Sequence, residues 1–167
     1  SINNSSIAEN SDGTITVTAT LSFATIINTT VVIDTSGTAT EGTDYGSISD
    51  ITITAGNTTG TATFDPTDDS VYEGSETATI SIASVVGADA GSTTSQTITI
   101  TDNESAPTVT LATSATSIAE NAGSSLTLTA TLSVATTADV TVGISTSGTG
   151  TEGTDYSTIA DITISAG

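Results

Sequence analysis

The amino-acid sequence predicts an all-β protein built from immunoglobulin-like antiparallel β-sandwiches, with about seven strands per repeat and the repeats in tandem. Three observations predict this fold. Apolar residues recur at every second position in short runs, and each run is bounded by Gly, Asn, Asp or Ser. No window keeps the helical period that an amphipathic helix requires. The third observation is an internal repeat.

The second part of the chain repeats the first without gaps, so that Ser117 corresponds to Ser6 and every later residue follows in step. We call this correspondence the repeat alignment. More than half of the overlapping positions are identical, which indicates tandem duplication. The motifs that return are SIAEN (6–10 and 117–121), TATLS (18–22 and 129–133) and TEGTDY (40–45 and 151–156). We therefore expect residues 1–104 to form one repeat that lacks its first strand. Residues 105–167 are expected to form the first half of a second repeat.

The strands of the first repeat follow from the alternation, taken in order along the chain. In residues 14–22 (TITVTATLS) every second residue is apolar, which predicts strand B. The same pattern predicts strand C at about 29–36, D at 50–54, E at 60–65, F at 76–84 and G at 96–102. Strand A is predicted in the second repeat alone, at 107–113. The aromatic residues expected in the core are Phe23, Tyr45, Phe64 and Tyr72.

The charge composition argues against several classes of function. The 167 residues include 19 Asp and Glu and no Lys, Arg or His, so the formal net charge is −19. Such a polyanion is not expected to bind nucleic acid or an anionic membrane surface. Membrane insertion is not expected either, because no apolar run reaches about 18 residues. Without His, Lys or Cys, the chain lacks the usual acid–base and nucleophilic groups, so we do not expect an enzyme.

The acidic residues concentrate at one predicted end of the sandwich. When strands alternate in direction, the A–B, C–D and E–F connections and the end of strand G lie at the same end. In the first repeat, five carboxylates occur in the E–F stretch DPTDDSVYEGSE at 65–76, whereas Asp89 is the sole acid in the B–C, D–E and F–G connections. Carboxylates that converge without a base repel each other unless a cation compensates their charge.

Calcium is the cation that we expect at this acidic end. It accepts roughly six to eight oxygen ligands in flexible geometry, as carboxylates and backbone carbonyls provide. Magnesium prefers a smaller octahedral site, and zinc usually uses His or Cys ligands. The charge pattern alone also allows a solvated acidic face that binds no metal.

The motifs SIAEN, TEGTDY, ITITAGNTTGTATF, PTDDSVYEGSETATISI and ITITDNE resemble those of the Calx-beta repeat family. The resemblance implies a seven-stranded sandwich that binds several calcium ions at the connections of one end. The ligands it implies in the first repeat are Glu9, Asp44, Asp68, Asp69, Glu73, Glu76, Asp102, Asn103, Glu104 and the backbone carbonyl of Val71. Asn103 would supply an amide oxygen without a charge. In the second repeat the resemblance implies Glu120 and Asp155, and the E–F and G positions fall beyond Gly167.

These features predict a structural module of a long extracellular or cell-surface protein, such as an adhesin, a stalk or a surface filament. Its partners would be neighbouring repeats of the same protein, or other copies if the protein assembles into a fibre. Only Ser105-Ala106-Pro107 separate the end of strand G from the next strand A, so calcium bound at the junction would stiffen the array. Two alternatives remain open, namely a calcium-sensing regulatory domain and a fibre subunit completed by strands of another chain.

Overall fold

The computed structural model describes residues 1–121 and 123–167, which form two compact units. The first unit consists of Ser1–Asp69 and Glu73–Asn103, and the second of Ser70–Tyr72 and Glu104–Gly167. Every regular element in the described residues is a β-strand. Those residues contain no helix that could span a lipid bilayer.

Seven strands form the first unit. They are β1 (Ser6–Ala8), β2 (Ile15–Thr20), β3 (Thr29–Gly37), β4 (Ile51–Ile53), β5 (Thr59–Phe64), β7 (Glu76–Val86) and β8 (Ser95–Thr101). One sheet has the order β1-β8-β7-β3-β4, and β2 pairs with β5 in the other. All pairings are antiparallel except the parallel pair β1–β8. The predicted strands B to G are thus observed as β2, β3, β4, β5, β7 and β8.

The core of the first unit lies between these two sheets, as the alternation predicts. Most apolar residues of these strands are buried, while most of the threonines stay at least partly exposed. The largest fully buried apolar side chains are Tyr45, Phe64, Ile15, Ile51, Ile53 and Ile98. Burial of each such side chain contributes about 1.5–3 kcal/mol. The predicted all-β sandwich is therefore confirmed.

Two of the four aromatic residues expected in the core form a buried stack. The rings of Tyr45 and Phe64 lie 4.8 Å apart with an interplanar angle of 26°, and Tyr72 is half-buried. The expectation for Phe23 is wrong, because its side chain is 82% exposed. Phe23 follows the end of β2, so it lies beyond the part of the strand that faces the other sheet.

The first unit has a short strand before strand B that the alternation did not predict, and the expected lack of strand A in the first repeat stays a prediction. The strand β1 pairs in parallel with β8, and Ile2 forms an antiparallel bridge with Val17. A strand this short, with Ile7 as its one buried apolar side chain, gives too short a pattern to predict. The limits of the two repeats, 1–104 and 105–167, stay predictions.

The described residues of the second unit form six short strands. They are β6 (Val71–Tyr72), β9 (Val109–Thr113), β10 (Leu128–Leu132), β11 (Ala135–Thr136), β12 (Val140–Val142) and β13 (Ile162–Ile164). The pairs β9–β10 and β12–β13 are antiparallel, and β6–β11 is parallel. The strand A predicted at 107–113 is observed as β9. Its rung Thr113–Leu128 corresponds in the repeat alignment to the bridge Ile2–Val17, so the two repeats share one register here.

Candidate metal centre

The motif TEGTDY folds into a turn that fixes the carboxylate of Asp44. The N–H of Thr40 donates to Asp44 Oδ2 at 2.5 Å, and the N–H of Asp44 donates to the carbonyl of Thr40 at 2.9 Å. The N–H of Gly42 donates to the carbonyl of Tyr45 at 2.8 Å, and the Tyr45 side chain is buried in the core. The turn is therefore closed by its own residues and anchored by its last one.

The carboxylate of Asp102, just after β8, binds the connection that precedes β7. Asp102 Oδ2 accepts hydrogen bonds from the N–H of Glu73 at 2.8 Å and of Gly74 at 2.5 Å. Gly74 has a φ of 78°, in the left-handed region that glycine adopts without a steric cost. Two successive amides can thus point at one carboxylate, which holds the end of strand G beside the start of strand F.

Three carboxylates from two connections meet at this end of the first unit. Asp44, Glu73 and Glu76 each offer one oxygen, and these oxygens lie within 4.8 Å of one another. All three residues are half-buried. The chain has no Lys, Arg or His to pair with them, and a donor set of carboxylate oxygens suits calcium. We call Asp44, Glu73 and Glu76 the acidic cluster.

The pKa values of the two glutamates reflect this crowding. Burial raises the pKa of Glu73, and the charges of Asp44, Asp69 and Asp102 raise it further. Burial also raises the pKa of Glu76 to about 7, with further contributions from a hydrogen bond to Asp44 and from the charges of Asp44 and Glu73. The fully ionised acidic cluster is therefore unfavourable, and a bound cation would remove that cost.

Glu9 and Asp102 form a second acidic pair of the first unit. Glu9 is 6% exposed, and its ligand oxygen lies within 4.8 Å of one from Asp102. The N–H of Glu9 donates to the carbonyl of Thr101 at 3.1 Å, and Glu9 Oε1 accepts from the N–H of Asn103 at 3.4 Å. Because β1 pairs with β8, the residues that follow these two strands lie side by side.

The other predicted ligands are more exposed or belong to the second unit. Asp68 and Asp69 are exposed in the E–F connection, and the charge of Asp69 reaches Glu73. Asn103 is exposed. In the second unit, Val71 and Glu104 are half-buried, whereas Glu120 and Asp155 are exposed. The metal role of every predicted ligand stays a prediction, which the geometry supports best for Asp44, Glu73 and Glu76 and for the pair Glu9–Asp102.

The sequence analysis missed residues that position this site through backbone groups. Thr40 and Gly74 contribute backbone amides rather than side chains. For Thr40, the repetition of the motif TEGTDY was the one sequence feature that could have indicated this role. Asp50, directly before β4, also binds a backbone amide. Its Oδ1 accepts from the N–H of Ile33 at 3.0 Å, beside the bulge between Val32 and Ile33.

Comparisons with known proteins bear on the family and on the fold. The model of the Calx-beta domain family matches residues 2–104 and 102–163. The crystal structure of CBD12 from CALX1.2 is 24% identical with a TM-score of 0.51, and the match covers 58% of this chain and 40% of that one. For the calcium binding domain CBD12 of CALX1.1, the identity is 24%, the TM-score 0.51 and the coverage 59% and 42%. This chain therefore spans about two-fifths of those structures, and the likeness supports the fold. No curated protein sequence matches at a significant level.

Proposed function

This chain belongs to the Calx-beta family, and we propose that its first unit binds calcium through the acidic cluster. The observation that carries the proposal is the convergence of Asp44, Glu73 and Glu76 within 4.8 Å in a chain without a single basic side chain. The raised pKa of Glu76, about 7, supports it, because carboxylates that gain protons near neutral pH lack a compensating charge.

The residues that would hold calcium come from connections far apart in sequence. Asp44 belongs to the C–D connection and Glu73 to the end of the E–F connection, Glu76 is the first residue of β7, and Asp102 directly follows β8. The pair Glu9–Asp102 would hold a further ion. Calcium would supply positive charge and oxygen coordination, so the connections would be linked to one another. Asp68, Asp69 and Asn103 are the other candidate ligands within the first unit.

We further propose that the chain is a segment of an extracellular repeat protein, such as a stalk or surface filament, that calcium stiffens. The tandem duplication and the short linker Ser105-Ala106-Pro107 support this proposal. A short linker next to acidic residues would hold neighbouring repeats at a restricted angle once metal binds. Its partners would be neighbouring repeats of the same protein.

Thermal unfolding tests the calcium proposal. The chain is melted in EGTA, in millimolar calcium and in millimolar magnesium, beside the variants Glu76→Gln and Asp89→Asn. Calcium should raise the Tm of the native chain and of Asp89→Asn, since Asp89 is an exposed acid outside the acidic cluster. Binding to the folded state alone adds about 2.7 kcal/mol at a hundredfold excess over the Kd. The rise should shrink in Glu76→Gln and should not occur with magnesium.

An equal rise in both variants would mean that the acidic cluster is not the site. If calcium does not raise the Tm of the native chain, the acidic end is a solvated acidic face that binds no calcium. Small-angle scattering from a chain of several repeats tests the stiffening. The account predicts a larger maximum dimension with calcium than with EGTA, and equal dimensions would contradict it.

A further inference from the structure

The other end of the first unit carries a single acidic residue, Asp89, and exposes large apolar side chains. Phe23, Ile26 and Ile27 in the B–C connection are 82%, 97% and 59% exposed, and Val86 at the end of β7 is 64% exposed. We call these four residues the apolar tip. The strands β2 and β7 both run from the acidic end to this tip, and residues 22–29 contain no charged side chain.

The B–C turn of the apolar tip has the same conformation as its counterpart in the second repeat. Thr25 Oγ1 donates to the carbonyl of Ile27 at 2.6 Å, and Thr136 Oγ1 donates to that of Ala138 at 2.8 Å. The carbonyl of Thr25 accepts from the N–H of Gly56 at 2.8 Å, and that of Thr136 from Gly167 at 3.1 Å. These bonds correspond in the repeat alignment, so the backbone of the two turns is alike.

In the second unit this turn carries a paired strand. Ala135–Thr136 form β11, which pairs in parallel with Val71–Tyr72, and Thr136 is 8% exposed. Val71 and Tyr72 come from an E–F connection. The corresponding residues of the first unit, Ala24 and Thr25, lie in no strand, and Ala24 is exposed. The same preformed edge is therefore paired in one copy and open in the other.

We propose that Ala24–Thr25 and the apolar tip dock the E–F connection of another Calx-beta unit, which adds a two-residue parallel strand equivalent to Val71–Tyr72. Ile26 and Ile27 stand where the second repeat has Thr137 and Ala138, so docking here would bury more apolar surface. The charges also fit. An E–F connection is acidic, and the uncharged turn receives it without the repulsion that a second acidic end would cause. The inference rests on the repeat array proposed above, and it does not require bound calcium.

Disulfide trapping in a longer chain tests this docking. A second copy of positions 1–111 is joined ahead of Ser1, which continues the repeat in frame because Ala112 is the counterpart of Ser1. The chain has no Cys, so each introduced pair is unique. The test pair is Val71→Cys of the added copy with Ala24→Cys.

Two control pairs calibrate the test. The positive control is Val71→Cys with Ala135→Cys in the original chain, since these residues are partners in register and neighbouring strands lie within disulfide reach. The negative control pairs Val71→Cys of the added copy with Thr58→Cys in the D–E connection.

The proposal predicts that the test pair closes about as fast as the positive control and at least about tenfold faster than the negative control, with or without calcium. Adding Ile26→Thr and Ile27→Ala, the residues of the second repeat, should slow closure. A positive control that closes while the test pair does not would overturn the docking. If neither the test pair nor the positive control forms its disulfide, the pairing of Val71–Tyr72 with Ala135–Thr136 is refuted, and the docking inferred from it is overturned. If the disulfide of the test pair forms in a chain whose Tm does not change with calcium, the calcium proposal is contradicted and the docking proposal still holds.

Discussion

The two copies of TEGTDY fold alike but lie in different surroundings. The N–H of Thr40 donates to Asp44 at 2.5 Å, and the N–H of Thr151 donates to Asp155 at 2.7 Å. Asp44 is half-buried in the acidic cluster, whereas Asp155 is exposed and belongs to no group of three acids among the described residues. The turn is therefore encoded locally, because the motif alone suffices to form it.

The acidic cluster is not encoded locally. It needs Glu73 and Glu76, which lie far along the chain from the turn and are placed by the start of β7. The positions that correspond to these glutamates in the second repeat fall beyond Gly167. The same motif thus orients an aspartate in both copies, and in the first unit this aspartate meets the two glutamates. Paired substitutions at matching positions can break or sharpen this contrast.

The largest difference is expected between Asp44→Asn and Asp155→Asn. The amide can still accept the bond from the turn, so both turns should survive, but Asp44→Asn removes one charge from the acidic cluster. We expect its calcium affinity to fall by about a hundredfold, or about 2.8 kcal/mol. Calorimetric titration of the two variants measures this. Equal affinities would show that Asp44 is not a ligand.

Gly37 and Gly148 offer a second matched pair, which tests the influence of strand F on stability. Both have positive φ, at 135° and 131°. A Cβ on Gly37 would clash with the carbonyl oxygen of Thr77, whereas a Cβ on Gly148 meets nothing within 4 Å. Gly37→Ala should therefore cost about 2 kcal/mol more than Gly148→Ala. Urea unfolding followed by the NMR signals of each unit checks this, and equal costs would contradict the packing described here.

Stability without calcium should depend on pH through Glu76. Its pKa is raised from 4.5 to about 7 in the folded state, so the folded chain binds more protons than the unfolded chain between these values. The free energy of unfolding should therefore fall as pH rises from about 4.5 to about 7. Urea unfolding in calcium-free buffer at several pH values measures the slope. Glu76→Gln should reduce it and Asp155→Asn should not. An unchanged slope in Glu76→Gln would assign the effect to other carboxylates.

The smallest effects are expected at Asp50 and Asp161, where the two repeats agree. Asp50 Oδ1 accepts from the N–H of Ile33 at 3.0 Å, and Asp161 Oδ1 from that of Ile144 at 2.9 Å. Asp50→Ala and Asp161→Ala should each cost about 1 kcal/mol, which urea unfolding measures. Because neither residue lies in the acidic cluster, the cost of Asp50→Ala should be the same with and without calcium. A cost that appears with calcium alone would make Asp50 part of the metal site.

Most of the fold could be predicted from the sequence because each strand of the sandwich buries one face. The alternation in residues 14–22 or 76–84 records that burial residue by residue. Very short strands leave no such record. β1 and β6 depend on partners far away in the sequence, so periodicity could not predict them. The prediction that Phe23 lies in the core was wrong for a related reason, because hydrophobicity alone does not indicate where a strand ends.

The convergence of acidic connections at one end of the first unit could also be predicted, because the parity of the strands decides which connections lie together. Which of the acidic residues at that end come together in the acidic cluster could not be predicted from the sequence. Asp68 and Glu73 belong to the same connection, yet Asp68 is exposed and Glu73 is half-buried beside Asp44. That difference depends on Gly74 and on the two amides that Asp102 binds, which are tertiary contacts.

The most direct test of the metal centre is a crystal of the native chain grown with calcium and measured where calcium scatters anomalously. The account predicts an anomalous peak at about 2.3–2.6 Å from carboxylate oxygens of Asp44, Glu73 and Glu76. A well-ordered acidic cluster without such a peak, in a crystal that shows calcium elsewhere or nowhere, would contradict it.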